Sequence, residues 1–558
     1  MSIAHDAGDP RRRALWARAS VVLLAVAASA TSLGNGFTYD DVPIIKENGR
    51  VHALANALRI FAQTYWPPSE GEGLYRPLTS LGFLAQWVAS GGAPWLFHLV
   101  NVLLYAGASL AVLTLAARLL PLPAAWVAAA LFAVHPVHVE VVGNVVGQAE
   151  LWVALTSTLA TAAYLRLRAR QLAGEPPGRL AVGVLLLYAA ACLAKEHGVT
   201  LPALLLAAEL TVVAAQARAV TARQRLRQVA PLFVALAVIG VAFVLVRSLI
   251  VGGFVGDEPH IAFNNRPVAT RLWTMLGVFG EWLRLLFWPA HLAAIYSPPG
   301  TPVHDGFAPE LLLPLAALAG VLALAAWAWR RRPVLALGLA WMAVTLLPTS
   351  NLLFSTGLLL AERTLFVPSV GFALALGDLA VWVIGRARAE GSATVRVMAG
   401  TLAALLALGV ARSAIRQPVW KDNATLFRQA SLDEPLSYRA QYAQGGMLFL
   451  AGQKIEGERH MRLAMKLMPN DTDVKVDLAR EYRVAGICGP ALELYRDALH
   501  HTPKRPDARV GLVACLLREA RFDEAREEAR RGVEIGYQKD AFKKLLAIAD
   551  SAIGARPN

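Results

Sequence analysis

Residues 229–250, VAPLFVALAVIGVAFVLVRSLI, form an apolar run that closely follows the basic cluster Arg223, Arg225 and Arg227. A helix needs about 20 such residues to cross the roughly 30 Å hydrocarbon core of a bilayer. Apolar runs near this length recur from residue 14 to residue 416, and 56% of the 558 residues are hydrophobic. Together with a mean hydropathy of +0.46, these runs predict a helical membrane protein.

The basic residues predict how the chain crosses the membrane. The net charge is +14, but the arginines lie mainly in short clusters between apolar runs. The positive-inside rule explains such clusters, so no nucleic-acid partner is predicted. If the N-terminus is cytoplasmic, eleven spans bring every arginine cluster to the cytoplasmic side. The predicted spans are 14–33, 95–117, 123–141, 149–165, 180–194, 198–217, 229–250, 309–329, 334–349, 365–385 and 397–415.

One further apolar stretch, 271–289, is predicted not to cross the membrane. It carries Arg271, Glu281 and Arg284, and counting it as a span would place the arginine cluster 330–332 outside. A helix that is both apolar and charged is typical of the membrane interface. We therefore expect an interfacial or re-entrant helix on the outer side, where it could guide a lipid chain.

A different pattern begins after Trp420, where the apolar runs stop and a 34-residue period relates Pro435, Pro469 and Pro503. Small residues also recur at fixed phases of this period, which lets two antiparallel helices approach closely, and the proline ends the second helix of each pair. The pattern predicts about three tetratricopeptide repeats with a capping helix over 540–553.

The fold prediction is therefore all-α with two domains. A polytopic transmembrane domain is expected over 1–416, and a solenoid of about three repeats over 417–558. Because an odd number of spans ends on the side opposite to where it began, the repeats are expected outside the cytoplasm.

The first predicted outer loop contains Phe37-Thr38-Tyr39-Asp40-Asp41. Three interpretations of the two carboxylates stay open at this stage. They could hold Mg²⁺ or Mn²⁺ against a phosphate, since these cations prefer oxygen ligands. One could be a general base for an acceptor hydroxyl, or the pair could merely cap a helix. Adjacent side chains of an extended segment point in opposite directions, so we expect one aspartate to act and the other to support it.

Other polar clusters fall at predicted outer ends of spans, in the stretches 135–140 (HPVHVE), 195–196 (KE) and 362–363 (ER). The first lacks two histidines four apart with a glutamate between them, so a zinc protease site is not predicted. Lysine and arginine at these positions could bind a phosphate. Each cluster could equally be an ion pair or a hydrogen bond between helices. Their convergence on one face favours a ligand site.

Six stretches, taken in order, carry a resemblance to a known family. They are 37–41 (FTYDD), 75–79 (YRPLT), 97–101 (FHLVN), 132–140 (FAVHPVHVE), 195–196 (KE) and 362–371 (ERTLFVPSVG). Together with the repeats, they resemble the transmembrane and tetratricopeptide-repeat-containing O-mannosyltransferases. The resemblance implies a GT-C membrane glycosyltransferase fold and a catalytic acidic pair, which maps to Asp40 and Asp41. Eukaryotic members of the family carry more repeats, and the composition rich in Ala, Arg and Leu indicates a bacterial relative.

The resemblance implies transfer of mannose or another hexose from a polyprenyl-phosphate donor to a protein hydroxyl, with inversion. It places the active site and the repeats on the periplasmic side of a bacterial inner membrane, in contact with membrane lipid, with the repeats presenting the acceptor protein. A metal is not required, although the acidic pair could hold Mg²⁺ or Mn²⁺. The residues expected to contact the donor phosphate or sugar are Arg76, His98, His135, His138, Glu140, Lys195, Glu196, Glu362 and Arg363.

The alternative is a membrane-anchored scaffold or assembly factor in which the repeats bind a partner without catalysis. Eleven spans exceed what anchoring requires, and an anchor has no need of an outer acidic pair. A transporter would instead place charged residues in the middle of the membrane and contain broken helices. The sequence therefore favours the enzyme.

Overall fold

The computed structural model of this protein describes residues 9–68, 73–217, 219–253, 261–263, 266–536 and 538–554. Over these residues the regular structure is helical, and β-structure is limited to an isolated bridge between Pro299 and Ser437. The all-α prediction is thus confirmed. The chain forms two compact units, which are Met1–Ala294 with His304–Leu426, and Ile295–Val303 with Phe427–Asn558. This division lies later in the chain than the predicted boundary at 416.

The α-helices of the first unit are joined by short 3₁₀ and π-helical turns. Those that the structure describes are α1 (Pro10–Ser29), α2 (Pro77–Ser90), α3 (Pro94–Leu119), α4 (Leu122–Ala133), α5 (Val139–Gly143), α6 (Gln148–Leu172), α7 (Arg179–Ala194), α8 (Leu201–Ala208), α9 (Ala214–Gln216), α10 (Ala222–Val251), α11 (Val268–Phe287), α12 (Leu312–Arg331), α13 (Pro333–Leu346), α14 (Pro368–Glu390) and α15 (Ser392–Arg416). The helix α16 (Asn423–Asp433) crosses from the first unit into the second.

Among the described residues, seven helices are long and apolar enough to cross a membrane, or eight if α4 and the bent segment after it form one span. The seven are Pro10–Gly34, Pro94–Leu119, Glu196–Gln216, Ala222–Val251, Pro309–Arg331, Pro368–Glu390 and Ser392–Trp420. Two shorter apolar helices, Arg179–Ala194 and Pro333–Thr349, and the more polar α6 cover the remaining predicted spans. All eleven predicted spans therefore coincide with helices, although fewer meet both criteria. The chain is a multi-pass membrane protein.

The apolar stretch at 271–289 folds as α11, which is not among the helices that meet both criteria. Met275, Val278 and Trp282 are buried, whereas Leu272 and Phe287 are exposed. One face of α11 therefore packs on the protein. The interfacial or re-entrant location stays a prediction.

A close helix crossing fixes the N-terminal end of α14. A Cβ atom on Gly338 of α13 would lie 2.5 Å from the carbonyl oxygen of Gly371 in α14, and one on Gly371 would lie 2.3 Å from that of Gly338. Only glycine permits this backbone contact. The crossing holds the first turn of α14, which immediately follows the 3₁₀ turn Glu362–Leu365.

The second unit consists of helix pairs that repeat every 34 residues. The pairs are α17 (Tyr438–Leu450) with α18 (Lys454–Leu467), α19 (Thr472–Val484) with α20 (Cys488–His501), and α21 (Pro506–Arg518) with α22 (Phe522–Ile535), followed by α23 (Lys539–Gly554). Each proline of the period lies in the turn before a pair, and α23 matches the predicted capping helix. The three predicted repeats are confirmed.

The turn inside each pair contains a residue with positive φ. Gly452 and Gly486 have φ of +77° and +82°, and the third repeat has Ala520 at +56°. A left-handed conformation costs a residue with a Cβ about 1–2 kcal/mol, of which glycine's larger unfolded-state entropy offsets about 0.4–1. We therefore expect Ala520→Gly to raise the free energy of unfolding of this repeat by about 0.5–1 kcal/mol.

This increase should appear as slower amide hydrogen exchange in α21 and α22 of the full-length protein and as a higher Tm. Gly452→Ala is the matched control, since it introduces the same backbone strain two repeats earlier at a position where a Cβ meets no other atom within 4 Å. It should speed exchange in α17 and α18 and lower Tm. Faster exchange in Ala520→Gly would contradict the assignment of strain to this turn.

Candidate active site

Asp41 is a structural carboxylate. It is fully buried, and its Oδ2 accepts hydrogen bonds from the backbone N–H groups of Thr38 and Val145, each at 3.2 Å. Its Oδ1 accepts from the N–H of Val146 at 2.8 Å. Burial raises the pKa of Asp41 to about 7, against the opposing effect of these three donors. Asp41 therefore joins the loop after α1 to the turn that precedes α6.

Asp40 has the opposite environment. Its side chain is only partly buried, and within the described part of the chain no group donates a hydrogen bond to its carboxylate. The charges that act on its pKa belong to Arg363, Glu140 and Arg76. Burial raises the pKa of Asp40, while Arg363 and Arg76 act to lower it. An accessible carboxylate with unused lone pairs can accept a hydrogen bond from a ligand hydroxyl or take its proton.

Arg363 is held beside Asp40 by Glu140. The Arg363 backbone N–H donates to Glu140 Oε2 at 2.8 Å, and its Nη1 donates to Oε1 at 2.6 Å. The Glu140 side chain is 2% exposed, whereas that of Arg363 is 25% exposed. Although burial opposes ionisation, Glu140 and Asp40 raise the pKa of Arg363. The guanidinium is thus charged, fixed in orientation and still accessible to an anion.

A second arginine is fixed in a similar way. Arg76 Nε donates to Glu196 Oε2 at 3.0 Å, and the N–H of Tyr75 donates to Glu196 Oε1 at 2.8 Å. The guanidinium of Arg76 also lies 4.9 Å from the ring centre of Tyr65, a cation–π distance. Arg76 is therefore positioned by two groups, Glu196 and the Tyr65 ring, and the Tyr75 N–H holds Glu196 in place.

Lys195 completes the group of cations. It forms an ion pair with Glu150 of α6, and its electrostatic neighbours include Arg76 and Arg363. Burial lowers the pKa of Lys195, Glu150 opposes this shift, and the two arginines add to it. Arg363 and Arg76 act on the Asp40 carboxylate, and Lys195 is an electrostatic neighbour of both arginines. Three cations from distant parts of the chain thus lie in one neighbourhood with Asp40, and their contact with a ligand stays a prediction. We call Asp40, Arg76, Lys195 and Arg363, with their partner glutamates, the charged cluster.

Glu150 was missed by the sequence analysis, and two polar residues, Asn101 and Gln148, prove to support the backbone near it. Glu150 is the single acidic residue near the start of the predicted span 149–165, and a carboxylate there is costly unless it is paired. That signal was available, but its partner Lys195 lies 45 residues away. Asn101 and Gln148 hold the turn before α6 through Asn101 Nδ2, which donates to the carbonyl oxygen of Asn144 at 3.0 Å, and Gln148 Nε2, which donates to Asn101 Oδ1 at 2.9 Å.

The three predicted histidines are bonded to protein groups rather than to the charged cluster. His98 Nε2 donates to the Gly36 carbonyl at 3.1 Å, and His135 Nε2 donates to the Leu286 carbonyl at 2.9 Å. His138 is hydrogen-bonded to the hydroxyls of Tyr105 at 3.0 Å and Ser369 at 2.9 Å. These bonds give each histidine a role in joining helices, and donor contact stays a prediction.

Glu362 likewise bonds to another segment, because its Oε1 accepts a hydrogen bond from the N–H of Ala293 at 2.6 Å.

The described residues contain no group of three or more His, Cys, Asp or Glu side chains that could hold a metal ion. The oxygens of Asp41 already accept three N–H groups, so the acidic pair does not form a ready cation site.

Comparison with known proteins gives related sequences and a repeat family. A family model described as Tetratricopeptide repeat matches residues 491–548. The chain is 28% identical over 492 residues to the human Protein O-mannosyl-transferase TMTC4, covering 80% of this chain and 65% of that protein. It is 28% identical over 545 residues to the Drosophila melanogaster Protein O-mannosyl-transferase Tmtc1, covering 82% of this chain and 62% of the relative. The chain thus spans less than two thirds of the length of these relatives.

A third relative matches more strongly over a shorter region. The Drosophila melanogaster Protein O-mannosyl-transferase Tmtc2 is 38% identical over 283 residues, which is 48% of this chain and 29% of that protein. The resemblance that the six ordered stretches and the repeats indicate is confirmed.

Proposed function

We propose that this chain, which is similar to proteins named Protein O-mannosyl-transferase and has a tetratricopeptide-repeat match of its own, is an integral-membrane hexosyltransferase. The donor is a polyprenyl-phosphate-linked sugar, mannose or another hexose. The acceptor is a protein hydroxyl on the outer face of the membrane, which is the periplasmic face in a bacterium. The membrane unit then has a GT-C type of architecture.

One observation carries this proposal. The carboxylate of Asp40, which accepts no hydrogen bond from the described residues, interacts with Arg363 and Arg76, and Lys195 neighbours both arginines. Each of the three cations is paired with a glutamate. A polyprenyl-phosphate sugar needs a base for the incoming hydroxyl and positive charge for the departing phosphate. Asp40 supplies the base, and Arg363, Arg76 and Lys195 supply the charge. A scaffold without catalysis does not need a base next to a group of cations.

The reaction step follows from this arrangement. The acceptor oxygen forms a bond to the anomeric carbon while its proton passes to Asp40. The bond between that carbon and the phosphate oxygen breaks, and its electron pair stays on the phosphate beside the cations. Attack from the face opposite the phosphate inverts the anomeric centre. No step is assigned to Mg²⁺ or Mn²⁺, since the described donor set does not fit a metal.

The glutamates keep the cations in place before the donor arrives. Glu140 takes two N–H groups of Arg363, which leaves other guanidinium donors for phosphate oxygens. Preorganised charge of this kind stabilises the developing phosphate anion without reorganisation during the reaction. Asp41 has a different task, since its three bonds fix the loop that carries Asp40.

The repeats extend the proposal to the acceptor. Stacked helix pairs build a curved surface that commonly binds an extended peptide. We assign to α17–α23 the presentation of the acceptor protein, with the charged cluster performing the transfer.

The test uses the full-length protein in liposomes with polyprenyl-phosphate-[³H]mannose and extracytoplasmic proteins from cells lacking the gene. A parallel arm supplies nucleotide-linked [³H]mannose. Label in protein from the lipid donor alone, in the inverted anomeric configuration by NMR, is the expected result. Transfer only from the nucleotide sugar would overturn the donor assignment. No transfer of mannose, glucose or galactose from lipid by folded protein would overturn the enzymatic assignment.

A further inference from the structure

The loop that carries Asp40 is bound to a second segment, the linker 417–423, which runs from the end of α15 to the first residue of α16. Asn35 Nδ2 donates to the carbonyl oxygen of Gln417 at 3.0 Å, and the N–H of Gly36 donates to that of Lys421 at 2.8 Å. A Cβ on Gly36 would lie 3.1 Å from the same Lys421 oxygen. The loop and the linker are thus in backbone contact although they lie more than 380 residues apart.

The contact nearest to Asp40 involves Tyr39, whose backbone is strained. Tyr39, which directly precedes Asp40, has φ of +50°, a conformation that bulky residues rarely adopt. Its N–H donates to Asn423 Oδ1 at 2.7 Å. Left-handed geometry in such a residue is unfavourable and persists only where surrounding groups enforce it.

The strained conformation determines where Asp40 points. The N–H of Val42 bonds to the carbonyl oxygen of Tyr39 at 3.1 Å, so the turn that displays Asp40 starts from the strained residue. If Tyr39 relaxed to negative φ, the Asp40 peptide would rotate and the carboxylate would leave its position beside Arg363.

Asn423 is available for this role because it does not cap α16. The cap is the preceding residue, Asp422, whose Oδ1 accepts the N–H of Thr425 at 2.8 Å. The two neighbouring polar side chains therefore have different contacts: Asp422 caps α16, and Asn423 bonds to the backbone of Tyr39 in the loop that carries Asp40. This division supplies a matched control within one segment.

We propose that Asn423 is a positioning residue for Asp40, acting through the backbone of Tyr39, and that the linker 417–423 thereby sets the geometry of the catalytic loop. The inference rests on the proposed function for its kinetic consequence. Its structural consequence can be measured independently.

The first experiment compares Asn423→Ala with Asp422→Ala in the transfer assay. Misplacing a reacting group by about 1 Å can cost about a hundredfold in rate, so Asn423→Ala should lower kcat about 10- to 100-fold with an unchanged KM for the lipid donor. Asp422→Ala should lower Tm slightly and leave kcat within about twofold. Equal loss of kcat in the two variants would overturn the proposal, because it would reflect general disturbance of the linker.

The second experiment removes the strain. In a Tyr39→Gly background the left-handed conformation carries little cost, so adding Asn423→Ala should lower kcat less than threefold. An effect as large as that in the wild-type background would contradict action through Tyr39.

A third readout does not depend on transfer. Hydrogen exchange of the peptide covering 38–46 should accelerate at least about tenfold in Asn423→Ala and stay unchanged in Asp422→Ala. If the wild-type protein transfers no sugar but this difference is present, the proposed function fails and the positioning role survives. If transfer is normal but exchange and kcat do not respond to Asn423→Ala, the positioning role fails alone.

Discussion

Replacing Asp40 by asparagine should lower kcat for sugar transfer at least about a hundredfold, the usual contribution of a positioned general base. Asparagine has nearly the same shape but cannot accept the proton of the acceptor hydroxyl. Because the Asp40 carboxylate accepts no hydrogen bond from the described residues, its replacement leaves no protein donor unpaired. Tm and the KM for the lipid donor should therefore change little, and the assay is transfer from polyprenyl-phosphate-[³H]mannose in liposomes.

Asp41→Asn is the matched control and should behave differently. An amide NH₂ would face one of the N–H groups of Thr38, Val145 or Val146, and an unpaired buried donor costs about 1–3 kcal/mol. The expected result is a lower Tm, with activity lost in proportion to disorder of the loop. If Asp41→Asn abolished transfer at unchanged Tm while Asp40→Asn stayed active, the two roles would have to be exchanged.

The same carboxylate predicts a pH dependence. Asp40 is active as a base only when ionised, and burial raises its pKa above the ordinary value of 3.8. The rate should therefore rise with pH, with a midpoint above 3.8, and fall as protonation of Asp40 increases. A pH profile of kcat/KM for the wild-type protein measures this midpoint. An acid limb that persisted unchanged in the residual activity of Asp40→Asn would assign the titration to another group.

Arg363→Ala should show the second large effect, on activity and stability together. Loss of one oriented donor to a developing anion typically costs about 10²–10³ in kcat. The change also leaves the carboxylate of Glu140, with its 2% exposure, buried without its cation. Breaking such a pair costs about 3–5 kcal/mol, and we expect the lower end because Arg363 is partly exposed. Transfer kinetics and thermal unfolding in detergent measure the two losses.

A double variant separates the two losses. Arg363→Met combined with Glu140→Gln removes both charges, so no buried charge is left alone and Tm should return most of the way to the wild-type value. Activity should stay as low as in Arg363→Ala, since the cation is still missing. Recovery of transfer in the double variant would show that Arg363 acts only on folding. Arg363→Lys should keep part of the activity, because lysine retains the charge but not the fork.

The helices were predictable because their signals are local. Length and apolarity of a segment, with arginine clusters at its ends, located all eleven predicted spans on helices. The 34-residue period located the repeats, with α17, α19 and α21 beginning at Tyr438, Thr472 and Pro506. Helix formation depends on neighbours within a few residues, and stacked repeats contact mainly their neighbours. The helices and the repeats could therefore be predicted from the sequence alone.

The site was predictable only in part. Residue types in the predicted outer loops indicated Asp40, Arg76, Lys195 and Arg363 as candidates. The sequence could not distinguish a side chain that contacts a ligand from one that pairs with another protein group. His98, His135 and His138 were candidates on the same grounds, and in the structure each of them is hydrogen-bonded to protein groups. Side chains of one type differ in role because their three-dimensional neighbours differ.

By itself, the sequence determined the class of protein, the positions of its helices and the repeats, and it offered the acidic pair after the first span as a candidate site. Only the tertiary structure distinguished Asp40 from Asp41. The donors that occupy Asp41 come from Val145 and Val146, more than 100 residues away, and the partner that fixes Arg363 is 223 residues away. Hydrogen bonds and ion pairs act over a few ångströms of space regardless of separation along the chain, so the assignment of each carboxylate had to await the fold.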